Sequence, residues 1–396
     1  MKERIFLIIT SISLLIFSFI LLRKDINENI ISFHTDEAYW ISTAKILPLL
    51  INKRFNDPIW KEYYAFTNFN GAKYIYSIGL LLFGHSEKTI EQAGVAPDTF
   101  YKWKGYDGNA FPKDHAFFRV LTDARIVSAL FVSCSIGLMA ILGFLVLRSV
   151  WLGSIAGIIL FFHPITQYIG THALTDSMFL FFILLSLIGI IAFLNRSKNR
   201  ISYRLIWFNS FIFAYLASIK INGLLFLFAF IFLIIWLAIV EKSKRIIRSY
   251  IVSMCTILFL TSVFFLLLNP NLFFYPTYTL SQMLKDRMVI TQYHIALYSY
   301  KVPDHVLLSL PQRLHSLIKH SFPIWLSPLF VIGAIYTGFH TIMKRKKRLS
   351  VFYTYMIVIG FVVLNGIFTY VVFDEPRYFV PLLPFFTLIS VSWLSF

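Results

Sequence analysis

The sequence predicts an all-α polytopic membrane protein, and three observations carry that prediction. Apolar residues fill 58% of the 396 positions, with Phe alone at 43, while charged residues reach only 14%. Apolar runs long enough to cross a bilayer recur along the chain. Basic residues gather in alternate connections between those runs. A soluble domain carries nearer a quarter charged residues, so this apolar excess must face lipid.

A hydrocarbon core takes about 20 helical residues to cross. Runs of that order lie at 5–22, 120–147, 151–170, 174–194, 250–269, 322–343, 351–373 and 377–396. The stretch 204–240 is too long for one span, since 37 helical residues extend about 55 Å. A turn at Lys220-Ile221-Asn222-Gly223 divides it into two short spans, giving about ten in all.

Charge orients these spans. With the N-terminus inside, the inner segments hold Lys2, Arg4, Arg148, Arg196, Lys198, Arg200, Arg204, the cluster at 242–248 and the run Lys344 to Arg348. That is 16 basic residues against two acids, while the outer segments hold 20 basic and 17 acidic residues. The division follows the positive-inside rule, with Arg23-Lys24 as a local exception. The net charge of +17 therefore reflects topology, and nucleic-acid binding is not expected. The first apolar run lacks a small-residue cleavage site, so a retained helix is expected rather than a secretory signal. Cys134 and Cys255 fall inside spans without CxxC spacing and read as small packing residues.

The whole chain, 1–396, reads as one transmembrane domain with two long outer loops, 23–119 and 270–321. In the first loop, 38–50 and 72–83 are too short to cross and too apolar for water, which suits interfacial helices. The segment Glu87 to His115 is wetter and rich in turn residues. The second loop, with Pro270, Pro276, Pro303 and Pro311, suggests short helices or a flap. No internal repeat is visible, and a continuous span is expected over 151–170.

The candidate chemistry lies on the outer side. Asp36-Glu37 opens the first amphipathic stretch; a carboxylate against low-dielectric surroundings can have a raised pKa and serve as general base. The structural alternative is a helix start with Thr35 as N-cap and the two acids facing the dipole. Asp176 stands at the mouth of the fourth span, where an ionisable group is costly and usually functional; the structural alternative is a helix-start Asp near the interface. Lys220 is either a snorkelling lysine or a cation for a lipid-linked phosphate. Arg125, Arg287 and Arg377, the last followed by Tyr378, are further outer cations suited to phosphate, with single solvated residues as the alternative for each and the favoured reading for Arg287. His163 and His172 sit near the same outer end as Asp176, and together with the acids they could bind a divalent ion, although the spacing matches no dedicated ligand motif. P-loop, dinucleotide-binding, HExxH and GxSxG patterns are absent in any fitting context.

Taken together, these segments resemble a known family. They are the acidic pair after one helix, Ala124-Arg125-Ile126-Val127-Ser128-Ala129, Phe162-His163-Pro164, His172-Ala173-Leu174-Thr175-Asp176, Ala217-Ser218-Ile219-Lys220 and Arg377-Tyr378-Phe379-Val380-Pro381-Leu382-Leu383-Pro384. The chain resembles the GT-C membrane glycosyltransferases, in particular protein O-mannosyltransferases and the lipid A aminoarabinose transferase. The resemblance implies an inverting transfer of one sugar from a polyprenyl-phosphate donor to a glycan, lipid or protein hydroxyl. It would take place at the outer face of a plasma (inner) membrane. It also implies that Asp36, beside Glu37, is a base or acceptor-positioning group and that Asp176 is the second acid. Arg125, Lys220 and Arg377 with Tyr378 would handle the carrier phosphate, with His34, His172 and Arg287 as accessory groups. The family's His-Pro-Pro segment is replaced here by Asn68-Phe69-Asn70-Gly71-Ala72-Lys73. A transporter or flippase of a lipid-linked glycan is the alternative, and its usual marks are inverted repeats and broken helices. A scaffold subunit would tolerate replacement of every outer acid.

Overall fold

The computed structural model describes residues 2–27, 34–66, 68–94, 116–196, 202–240, 244–301, 315, 318–319, 323–343 and 376–395. All regular structure among them is helical. In chain order the helices are α1 (Lys2–Asn27), α2 (Thr35–Thr43), α3 (Ile46–Ile51), α4 (Tyr63–Phe66), α5 (Gly71–Leu82), α6 (Glu87–Gln92), α7 (Ala116–Leu147), α8 (Val150–Phe162), α9 (Pro164–Thr171), α10 (Thr175–Arg196), α11 (Tyr203–Ile219), α12 (Leu224–Val240), α13 (Lys244–Leu268), α14 (Pro270–Phe274), α15 (Pro276–Lys301), α16 (Ser327–Met343) and α17 (Leu383–Ser392).

Five of the described helical segments are long and apolar enough to cross a membrane: α1, α7, α10, α12 with the turn before it, and α13. A sixth is available if α8 and α9 form one bent span. The chain is a multi-pass integral membrane protein, but these helices do not establish the expected count of about ten. With 17 residues each, α11 and α16 stand at the lower limit of a crossing length, and α17 has only ten. The expected run 351–373 lies outside the described residues. Along α1, Ile5, Ile8, Ile9, Ile12, Ile16 and Ile20 form an exposed apolar stripe, as expected of a helix flanked by lipid. Cys134 is partly buried and Cys255 exposed, so the second does not pack in the core.

The division of 204–240 is real. α11 ends at Ile219, a 3-10 turn covers Ile221–Gly223, and α12 starts at Leu224. The Phe213 and Phe230 rings lie 5.5 Å apart, whereas 17 residues of continuous helix would separate them by about 25 Å. The two helices therefore fold back on each other. Gly223 makes the turn feasible, because a Cβ there would stand 2.5 Å from the Leu216 carbonyl carbon and oxygen.

Four expectations change. The span expected over 151–170 is broken, with α8 and α9 meeting at 65°. Pro164 lacks an N–H and opens α9, while the His163 Nδ1 accepts the Ile165 N–H as N-cap. The stretch 38–50 is two helices, because Pro48 cannot continue a helix through the Ala44 carbonyl. In the second loop the described residues form the short α14 and the 26-residue α15, since neither Gly nor Pro interrupts the chain between Pro276 and Lys301. The last apolar run starts as a 3-10 segment, Pro376–Leu382, with Pro381 inside it, and becomes α-helical only at Leu383.

Candidate active site

The site is built where helix ends meet. α2 begins with His34 as N-cap, not Thr35: the His34 Nδ1 accepts the Asp36 N–H at 3.0 Å. In return the Glu37 Oε2 accepts the His34 N–H at 2.9 Å, closing a capping box. This geometry turns the two neighbouring acids in different directions.

Glu37 points inward and is fully buried. Its Oε1 accepts Arg125 Nε–H at 2.7 Å and the Ala173 N–H at 2.8 Å, and its Oε2 accepts Arg125 Nη2–H at 2.8 Å. Arg125, on α7, is itself only 6% exposed. The bidentate pair thus ties α2 to α7 and to the segment leading into α10. Both groups are occupied by each other.

Asp36 points the other way, and its side chain keeps 40% of its exposure. It pairs with Arg377, which arrives from the 3-10 segment near the C-terminal end of the chain. Burial raises the Asp36 pKa, but the charges of Arg377, His34 and Lys220 and the Arg377 hydrogen bond outweigh it. The carboxyl is thereby held below its ordinary value, which corrects the expectation of a raised one. The Arg377 guanidinium also lies 5.9 Å from the Tyr378 ring centroid.

Asp176 sits in the first turn of α10, 1% exposed. Its Oδ1 accepts Lys220 Nζ–H at 2.6 Å, and its buried Oδ2 has no hydrogen-bond partner among the described residues. Lys220 leaves α11 in an extended conformation, keeps 26% side-chain exposure and lies 5.8 Å from the Phe179 ring centroid. The fold thus assembles three carboxylate–cation pairs at one end of the helices. One is sealed, and two reach toward the surface.

The histidines line the same end. His34 lies edge-on to Tyr168 at 6.1 Å and to His172 at 6.3 Å, and the Tyr168 and His172 rings are 4.4 Å apart. His172 Nδ1–H donates to the Tyr168 carbonyl at 2.9 Å. Burial holds the His172 ring below its ordinary pKa, against the opposing pull of Glu37. Tyr168, on α9, was not singled out by the sequence; the 65° break brings it in. Among the described residues no group of three His, Cys, Asp or Glu side chains is placed to hold a metal ion. The Arg287 side chain lies outside the described residues, although its backbone belongs to α15.

Comparison with protein families addresses the same segments. Residues 102–284 match the family model of dolichyl-phosphate-mannose-protein mannosyltransferase. Over these residues the chain is similar to that family. The mannosyltransferase match includes Arg125, Asp176 and Lys220, while Asp36, Glu37 and Arg377 lie outside its limits. A comparison with curated proteins gives no match.

Proposed function

We propose that the protein is an inverting glycosyltransferase that moves one sugar, mannose by the name of the matching family, from a polyprenyl-phosphate carrier to an acceptor hydroxyl at the extracytoplasmic membrane face. The observation that carries this reading is the pair of neighbouring, partly open ion pairs, Asp36–Arg377 and Asp176–Lys220. Two carboxylates and two cations at one end of a membrane bundle supply what this reaction requires. The acceptor oxygen bonds to the anomeric carbon as the bond from that carbon to the phosphate oxygen breaks. The acceptor proton passes to Asp36, and the electron pair leaves with the phosphate.

Each residue has a part in this reading. Asp36, kept anionic by its cationic neighbours, takes the proton as attack proceeds. Arg377 and Lys220 stabilise the leaving phosphate, and Tyr378 flanks Arg377. Asp176 anchors Lys220 through one oxygen and offers the other to a sugar hydroxyl. Glu37 and Arg125, proposed from the sequence as acid and phosphate ligand, become a clamp that sets the direction of Asp36. The acceptor, whether glycan, lipid or protein, is left open.

The test supplies polyprenyl-phosphate mannose, labelled in the sugar, to the purified protein in lipid vesicles with a cell-envelope extract as acceptor. Label leaving the carrier in wild type, but not in Asp36→Asn, is expected; equal transfer by both sinks the assignment of Asp36. One observation favours the second reading, a flippase, since the broken α8–α9 pair is a feature transporters use. That reading requires label to cross the vesicle with its carrier bond intact.

A further inference from the structure

The segment that departs from the family pattern, Asn68 to Lys73, forms a buried polar knot whose effect reaches Lys220. Lys73 is fully buried at the start of α5. Its Nζ donates to the Ala65 carbonyl at 3.0 Å, the Asn68 carbonyl at 2.5 Å and the Asn70 Oδ1 at 3.0 Å. All three acceptors are neutral oxygens. An ammonium has the three N–H bonds that this cradle needs, whereas a neutral amine has two. Burial pulls the Lys73 pKa well below its ordinary value, and these three oxygen dipoles are what favour the ammonium against it.

The cradle fixes Asn70, which joins the first loop to the second. The Asn70 N–H donates to Asn269 Oδ1 at 2.9 Å, and its Nδ2–H donates to Asn271 Oδ1 at 3.1 Å. Asn271 donates back to the Ala65 carbonyl at 3.3 Å. Asn269 Nδ2–H donates to the Ser218 Oγ at 2.8 Å, and so reaches the last turn of α11. Gly71 lies on the same turn: a Cβ there would stand 2.9 Å from the Ser218 carbonyl carbon, and the Tyr215 hydroxyl donates to the Gly71 carbonyl at 3.0 Å. Two residues beyond Ser218 the chain leaves the helix at Lys220.

We infer that Lys73 is a positioning residue: it knots the two outer loops onto the end of α11 and thereby sets where the Lys220 ammonium meets the carrier phosphate. This rests on the proposed role of Lys220 and adds a named support for it. The knot acts through a continuous set of hydrogen bonds, from Lys73 through Asn70, Asn269 and Ser218. None of its members touches the ion pairs themselves.

The experiment titrates a sugar-free polyprenyl phosphate into the full-length protein in nanodiscs. Wild type, Lys220→Ala, Lys73→Met, Ser218→Ala and the double variant Lys73→Met/Lys220→Ala are compared. Lys220→Ala and Lys73→Met are each expected to weaken binding about tenfold, as loss of a charge-assisted contact does. Ser218→Ala, which cuts the last link and leaves the cradle whole, is expected to weaken it about threefold, since it removes one neutral hydrogen bond. The double variant should bind no worse than Lys220→Ala alone, a non-additivity that general loosening of the fold would not produce. Wild-type binding by both Lys73→Met and Ser218→Ala, or losses that multiply in the double variant, overturns the inference. Should Lys73→Met not fold, Ser218→Ala alone and combined with Lys220→Ala decides on the same terms. Wild-type binding by Lys220→Ala removes the phosphate role of Lys220 and this inference with it; weak binding by Lys220→Ala alone removes only the inference.

Discussion

Glu37 and Arg125 meet in a two-pronged pair, Nε to Oε1 at 2.7 Å and Nη2 to Oε2 at 2.8 Å, with both side chains shut away from solvent. Such a pair is more informative about shape than about net stability. Desolvating two charges offsets most of their attraction, yet removing one partner strands the other. Here it binds α2 to α7 from a position directly beside Asp36, so its geometry is transmitted to the next residue.

Glu37→Ala is therefore expected to destabilise the protein by about 3–5 kcal/mol, the range for breaking a buried pair. Glu37→Met/Arg125→Met should lose less than Glu37→Ala. Thermal unfolding of the purified proteins at fixed detergent and lipid measures both. A double variant less stable than the single one would contradict the clamp.

Asp36→Asn should leave the unfolding temperature near that of wild type, because the side chain is partly exposed and outside the packed core. Sugar transfer should fall about 10²–10⁴-fold, the usual contribution of a general base. Initial rates at saturating donor provide the comparison.

Arg377→Met tests the electrostatics. In the wild type the Asp36 carboxyl is held low, so it stays ionised down to pH values below the ordinary carboxylate range. Activity dependent on that anion is lost only as pH falls through the low value. Without Arg377 the charge that lowers the Asp36 pKa most is gone, together with its hydrogen bond, so the acid limb of the pH–rate profile moves upward. Any stability that Asp36 contributes through its depressed pKa is likewise present above its unfolded value and fades as pH falls through the folded one. A limb at the same pH in both proteins would contradict the pairing.

Gly223→Ala places a Cβ against Leu216 backbone, where no side chain can yield. A loss of about 1–3 kcal/mol is expected from such overpacking, read from the unfolding temperature. Separately, Asn222→Cys, at an exposed position in the turn, should react with a membrane-impermeant thiol reagent from the same side as Ser86→Cys in the first loop. Cys255 is replaced beforehand because it is exposed. Labelling from opposite sides would dismantle the hairpin topology.

Much of this arrangement was legible in the residues. The break at Lys220 to Gly223 followed from length and from the turn residues there, because 37 helical residues are too long for one span. Asp36, Asp176, Lys220 and Arg377 could be marked because ionisable groups at span ends are costly. Their partners could not be read: Asp36 and Arg377 are 341 positions apart, and only tertiary packing decides which cation meets which acid. The roles of Glu37 and Arg125 were obscured for the same reason, since a buried pair and an open site use identical residue types. Tyr168 had no signal until the bend before Pro164 brought it toward His34. The role of Lys73 carried no signal in the sequence, because its cradle is made largely of backbone oxygens that no side-chain pattern announces.

The short hairpin has a consequence for the lipid around it. α11 and α12 each rise about 25 Å, whereas the 32-residue α7 rises about 48 Å. A bilayer about 30 Å thick fitted to the first must be pinched, while the second stands clear of it. The bilayer is therefore expected to be thinner against the hairpin than against α7.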